Sequence, residues 1–255
     1  MSRNTMIRSF LFFIICLLSV QSVAAEIQRS ISVNGKYIRL KTASEQLFTV
    51  YVAGPEDAKQ GILLLPGWWG LNAEIELWAD QYSAKGYRVM AIDLYDCHVT
   101  TNPVMARKLM DSVVQSEANA KYAAALKTLS AHGRKIAVIG RSYGASQALY
   151  AALTEPQFVA ATVIYYPYGD FPSDNKALAR IKAPVLAHLA KKDFFFTPDK
   201  VQQFNALVKQ TGLKVTVNQY DARHGFDKPS GKNFDDAAHR VAQNRTAEFL
   251  KKYLN

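Results

Sequence analysis

Cysteine is scarce in this chain: two residues in 255, Cys16 and Cys97. A small fold stapled by disulfides is therefore excluded. There is no C-x-x-C and no H-E-x-x-H or related histidine spacing, so no metal site is expected. No G-x-G-x-x-G and no P-loop occurs, and no cofactor is expected. Basic residues outnumber acidic ones by 31 to 21, yet they are spread along the chain. No Lys/Arg block interleaves with aromatics as a nucleic-acid groove requires, so no nucleic-acid partner is expected. The charge reads as a solvated surface drawn to anionic material. Internal repeats, low-complexity tracts and dividing linkers are absent as well.

The one marked apolar run, Phe10–Leu18, falls far short of the ~20 residues that a bilayer core needs, so no stable membrane anchor is expected. Its context explains it better. Arg3 and Arg8 precede it, and Val23 and Ala25 supply the small residues of a signal-peptidase site before Glu26. Residues 1–25 therefore read as a cleavable signal peptide, and the expected location is periplasmic or secreted. Arg3 and Arg8 are the segment's only charged residues, so its removal lowers the net charge from +10 to +8. Only Cys97 then remains, which leaves no intramolecular disulfide. Residues 26–255 have the length for a single domain, and 49% hydrophobic with 20% charged residues is ordinary globular composition.

Within that domain, strand-like runs alternate with helix-like segments. Candidate strands are Phe48–Val52, Gly61–Leu65, Arg88–Ile92, Lys135–Ile139, Thr162–Tyr165, Val185–Leu189 and Lys214–Gln219. Ile62–Leu65 and Ile136–Ile139 are apolar throughout, as buried parallel strands are when both faces are covered. Ile31–Val52 holds two short strand patterns and reads as an antiparallel edge. Helices are expected over Ala73–Lys85, with Gly86 as its C′ residue, over Gln147–Leu153, and after the Thr197-Pro198 cap with Val201, Phe204 and Val208 inward. A last helix is expected to carry Phe234, Ala237, Ala238, Val241, Phe249 and Leu250 at helical spacing, interrupted at Arg245. The alternation predicts a mostly parallel sheet with helices on both faces, the α/β class. Ligands in such sheets bind at the carboxyl ends of the strands.

The strand ending at Ile139 runs into Gly140-Arg141-Ser142-Tyr143-Gly144, a G-x-S-x-G sequence followed by an alanine-rich helix. A sharp strand-to-helix turn there exposes the Ser142 hydroxyl, and small residues are needed where its two sides face each other. Serine is a weak nucleophile until a base takes its proton and a third group orients that base. His224 lies in a loop after a strand, beside glycine, and is the candidate base. His188 falls inside a strand pattern and reads as a core or edge residue, and His239 reads as a solvated helix face. Asp193 follows the strand Val185–Leu189 and is the preferred acid, with Asp170 after Thr162–Tyr165 as the alternative. Oxyanion donors are expected from the backbone amides of Tyr143 and Trp68. Trp69 is either a pocket wall or a core residue. Phe194, Phe195 and the segment Tyr95–Met110, for which no conformation follows, shape the remainder of the pocket.

Together these segments resemble the dienelactone hydrolase family of α/β hydrolases. The resemblance is carried by Pro66–Asn72, by Gly86–Tyr95 with its Asp93-Leu94-Tyr95, by the Gly140–Gly144 turn, by Asp193 and by His224-Gly225-Phe226. It covers about residues 60–252 and implies an α/β-hydrolase fold and hydrolysis of small esters or lactones. The chain also departs from the family's best-known members. They use a cysteine where Ser142 stands and a glutamate where Gly67 stands. They bind a substrate carboxylate with arginines where this chain has Cys97 and Lys228, so the resemblance places these two residues at the substrate pocket with reduced cationic recognition. The expected activity is hydrolysis of a small-molecule ester or lactone by Ser142, His224 and Asp193 through an acyl-enzyme. Amidase or peptidase activity on the same three residues, and a non-catalytic binding role on the same scaffold, are the alternatives.

Overall fold

Continuous burial of β3 (Gln60–Leu65) and β5 (Lys135–Arg141) places them side by side at the centre of an eight-stranded sheet. The computed structural model describes residues 34–168 and 175–255. The expected signal segment and Asp170 lie outside the described residues. The other strands are β1 (Lys36–Lys41), β2 (Leu47–Ala53), β4 (Arg88–Ile92), β6 (Val159–Tyr165), β7 (Val185–Ala190) and β8 (Val215–Tyr220), in the order β1-β2-β4-β3-β5-β6-β7-β8. From β4 onward all pairings are parallel, including Leu63 opposite Val138. β1 and β2 form the antiparallel edge, with Lys36 opposite Val52. This is the mostly parallel α/β sheet that the strand–helix alternation predicts, in the α/β-hydrolase fold that the resemblance implies.

Alternation along each strand sends side chains to two cores. Leu63, Leu65, Ile136 and Val138 face one core, where α3 (Gln115–Leu129) and α4 (Tyr143–Thr154) pack. Ile62, Leu64, Ala137 and Ile139 face the other, against α1 (Ala73–Ser83) and α7 (Asp236–Leu254). α2 (Pro103–Asp111) opens with the Asn102 side chain accepting from the amides of Val104 and Met105. A short turn, α5 (Asn175–Leu178), precedes β7, and α6 (Pro198–Thr211) has Thr197 at its N-cap and ends at Gly212, φ +67°.

Two helices differ from expectation. α4 begins at Tyr143 rather than Gln147, because Gly144 is already helical and lies against the backbone of β3. On α7 the buried stripe is Ala242, Thr246, Phe249, Leu250 and Leu254, while Phe234 precedes the helix and Val241 is exposed. Phe249 and Leu250 are buried as expected and Ala238 packs half-buried against the core, while Thr246 is a polar member that hydrophobic spacing passes over. Its hydroxyl is consumed inside the core: Thr246 Oγ1 lies 2.6 Å from Tyr165 Oη and 3.0 Å from His188 Nε2.

His188 on β7 is fully buried, and its Nδ1 lies 2.8 Å from Tyr220 Oη. Burial pushes its pKa from 6.5 down to about 3, with a further small depression from Arg245. The unfolded chain binds a proton near pH 6.5 that the folded chain refuses until about pH 3. Stability is therefore full above pH 6.5 and is lost as the pH falls toward 3, by up to ~1.4 kcal/mol per pH unit. Urea unfolding measured from pH 7 to pH 4 is expected to show this slope, and His188→Gln is expected to flatten it by about one proton's worth.

Candidate active site

The turn from β5 into α4 is dictated by sterics. A Cβ at Gly140 would lie 1.9 Å from Gly144 O, and one at Gly144 would lie 2.1 Å from Leu65 O. Only hydrogen fits at either position. Between them Ser142 takes φ +54° and ψ −123°, a conformation that a side chain disfavours and that persists only where the surroundings enforce it. The enforcement is visible. The Ser142 amide donates to Tyr165 O at 3.0 Å, and Ser142 O accepts from the Tyr168 amide at 3.1 Å. The hydroxyl is left at the carboxyl end of the sheet.

There it meets His224, from the loop after β8. Ser142 Oγ lies 2.8 Å from His224 Nε2, and His224 Nδ1 lies 2.8 Å from Asp193 Oδ2. Asp193 is buried on the loop after β7, and its Oδ1 accepts from the amides of Phe195 and Phe196 at 2.8 and 3.1 Å. Both carboxylate oxygens are thus occupied, which holds the group in one orientation. The imidazole is walled edge-on by Tyr166 and Phe195, each with ring centroids 4.9 Å from its own. Asn233 Nδ2 donates to His224 O at 2.9 Å and pins the loop backbone.

A cavity of about 600 Å³ opens over Ser142. Trp68, Trp69, Ile75 and Tyr166 supply apolar wall, and Asn72, Glu74, Lys228 and Asn233 supply polar wall. Both tryptophans are half-buried and in mutual contact, with centroids 4.7 Å apart, so Trp69 is a cavity wall. Gly67 packs beneath the nucleophile: a Cβ there would lie 3.5 Å from Arg141 O and 4.0 Å from Ser142 Cβ. The Tyr143 amide stands at the start of α4, where the first N–H groups of a helix have no partner within it, while its ring is buried in the core. Lys228 lines the cavity as expected. Cys97 does not: it is exposed on the loop after β4, with its amide on Asp93 Oδ2 and its Sγ 3.3 Å from Thr49 Oγ1. The β4 loop turns back on its own aspartate at Asp96 and Cys97, both at positive φ, and Cys97 is not among the residues that line the cavity. Phe194 and Phe195 line a neighbouring hollow with Tyr168 and Arg107. Among the described residues, no group of three or more His, Cys, Asp or Glu side chains is placed to hold a metal ion.

The chain matches the model of the dienelactone hydrolase family over residues 48–254. It belongs to that family. Membership makes it a hydrolase of ester bonds. A protein named usf from Aquifex pyrophilus is 28% identical over 217 residues, which cover 80% of this chain and 93% of that one. A carboxymethylenebutenolidase from Pseudomonas is 31% identical over 145 residues, 57% of this chain and 58% of the relative. Among solved structures, a dienelactone hydrolase from Klebsiella pneumoniae superposes with a TM-score of 0.74 at 16% identity, covering 86% of this chain and 100% of its own. At that identity the likeness speaks for the fold.

One feature of this family member escapes a motif search. Arg141, the variable residue before the serine, is buried and paired with Asp227, three residues past His224: Nε and Nη2 lie 2.9 and 2.8 Å from Asp227 Oδ2. Its guanidinium stacks 3.6 Å above the Trp78 ring. Burial lowers its pKa, the Asp227 charge more than offsets this, and the group stays cationic. The Tyr166 hydroxyl donates to Asp227 Oδ1. Burial first, and the Asp227 charge second, hold that phenol well above its ordinary pKa, so it remains a donor. The pair thus ties the serine turn to the histidine loop. The sequence signal was two opposite charges, Arg141 adjacent to Ser142 and Asp227 three residues past His224. Arg141→Met is expected to cost about 3–5 kcal/mol in denaturant unfolding, since it strands a buried carboxylate. With Asp227→Asn added, the double variant is expected to lose less than the two single losses combined, by about 1–3 kcal/mol.

Proposed function

We propose that this protein is an exported serine hydrolase of small carboxylic esters or lactones, working through an acyl-enzyme. The observation that carries the proposal is the unbroken contact series Ser142–His224–Asp193 opening on a largely apolar cavity. An ionised carboxylate only accepts, so Asp193 fixes the hydrogen on His224 Nδ1 and leaves Nε2 to accept the Ser142 proton. Ser142 Oγ then attacks the acyl carbon. The amides of Tyr143 and Trp68 are assigned to the oxyanion, where a helix N-terminus adds favourable partial charge. His224, now protonated and stabilised by Asp193, returns the proton to the leaving alkoxide. Water repeats the sequence and releases the acid. Tyr166, Phe195 and Tyr168 shield the imidazole edge, which strengthens each of these electrostatic contacts.

The purified protein is expected to hydrolyse short-chain aryl esters, with aminoacyl amides turned over far more slowly. Ser142→Ala is expected to lower kcat by at least about 10³-fold, and a fluorophosphonate is expected to label the parent and not the variant. A Ser142→Ala protein as active as the parent refutes the proposal. Export is supported by the pattern of residues 1–25. The protein recovered from the periplasmic fraction is expected to begin at Glu26 by intact mass, and recovery of the full-length chain from the cytoplasm alone refutes that part.

A further inference from the structure

Three basic residues line the cavity over Ser142, together with one carboxylate, Glu74. Arg141 is consumed by Asp227 and Trp78. Lys232 is exposed, where water and salt weaken its pull. Lys228 is the remaining cation, and it does not stand free. Its Nζ lies 2.5 Å from Glu74 Oε2, with both side chains about three-quarters buried, at 27% and 23% exposure. Ser230 Oγ donates to the same carboxylate oxygen at 3.3 Å.

The pair is held from both ends. Glu74 sits in the first turn of α1, and its own amide donates to the Asn72 side chain at 3.2 Å. A carboxylate is favoured at that helix end. Lys228 belongs to a tight turn in which its amide donates to Gly225 O at 3.2 Å and its carbonyl accepts from the Gly231 amide at 2.9 Å. Gly231 lies against the lysine stem: a Cβ there would come within 3.3 Å of Lys228 Cγ and Cδ. The lysine is therefore aimed across the cavity at α1. A carboxylate on a substrate has to displace Glu74 from Lys228, or lie beside it uncompensated. Either is unfavourable, because a like charge in a half-buried site repels strongly. An uncharged group meets the indoles of Trp68 and Trp69 without that conflict.

We infer that Glu74 is a specificity-determining residue that masks Lys228 and restricts the cavity to uncharged esters and lactones. The inference rests on the hydrolase reading above and names its substrate class. Two matched pairs test it. In one, 3-acetoxybenzamide against 3-acetoxybenzoate, the charge is on the leaving group. In the other, 4-nitrophenyl hexanoate against mono-4-nitrophenyl adipate, it is on the acyl group. The parent is expected to favour the neutral member by tenfold or more in kcat/KM in at least one pair. Glu74→Gln is expected to narrow that ratio at least tenfold, and adding Lys228→Met is expected to abolish the narrowing. Equal kcat/KM within both pairs, or a ratio that Glu74→Gln leaves unmoved, overturns the inference. Binding of the methyl ketones, in which CH₂ replaces the ester oxygen of the acetoxy pair, separates this from the hydrolase reading. A protein that cleaves none of the four esters but binds the neutral ketone tenfold tighter refutes hydrolysis and supports the mask. One that cleaves none and binds both ketones alike overturns both.

Discussion

The site depends on a backbone approach that permits no side chain. Gly140 and Gly144 meet across the turn, and Gly144 also lies against the carbonyl of Leu65 at the end of β3. These contacts force Ser142 into positive φ, set the first turn of α4 against the loop that carries Trp68, and bring two amide-bearing segments beside one hydroxyl. The serine, its proposed oxyanion donors and the cavity wall are thus consequences of one constraint rather than separate features. Strain at a single residue, of order 1–3 kcal/mol, persists only where the surroundings over-determine it. Two central strands with every apolar side chain buried supply that rigidity.

A second set of contacts holds the histidine in place. His224 stands on a loop, and loops move unless tied. Its backbone is pinned by Asn233, its ring by Asp193, Tyr166 and Phe195, and its following residues by the Arg141–Asp227 pair. Buried ion pairs contribute little net stability compared with apolar packing, but their geometry is demanding. Here that geometry spans the two residues between which a proton is proposed to move. The polar chain Tyr220–His188–Thr246–Tyr165 does the same beneath the sheet, joining β8, β7, α7 and β6 through hydroxyls and one neutral imidazole.

Much of this was legible because it follows from local rules. Strands buried on both faces announce themselves as apolar runs, so β3, β4 and β5 were placed to within two residues. The glycine pattern around Ser142 and the strand-end positions of Asp193 and His224 follow from the chemistry of the turn and the topology of the sheet. The failures share a different cause. Thr246, Arg141 and Asp227 are polar residues in the interior, and hydrophobic patterning assigns such residues to solvent. Thr246 was passed over in the α7 stripe on that account, although Phe249 and Leu250 are buried as expected, and His239, read as a solvated face, sits with Nδ1 3.1 Å from Asp227 O. Cys97 was assigned to the pocket by the family resemblance, but the β4 loop doubles back at Asp96, and no residue-type rule anticipates that bend.

The pairing of Glu74 with Lys228 shows why charge composition and site charge are separate quantities. The chain carries a net +10, and a cavity with three basic residues on its wall invites the reading that it gathers anions. Yet each buried or half-buried cation on the cavity wall has been given its own carboxylate, Asp227 for Arg141 and Glu74 for Lys228. Much of the excess positive charge lies on exposed lysines and arginines, where salt screens it over a Debye length of about 8 Å. The long-range field of the chain and the proposed short-range selection of a substrate therefore rest on different residues. A mutation at one is free to change without disturbing the other, because the matched pairs leave little field to couple them.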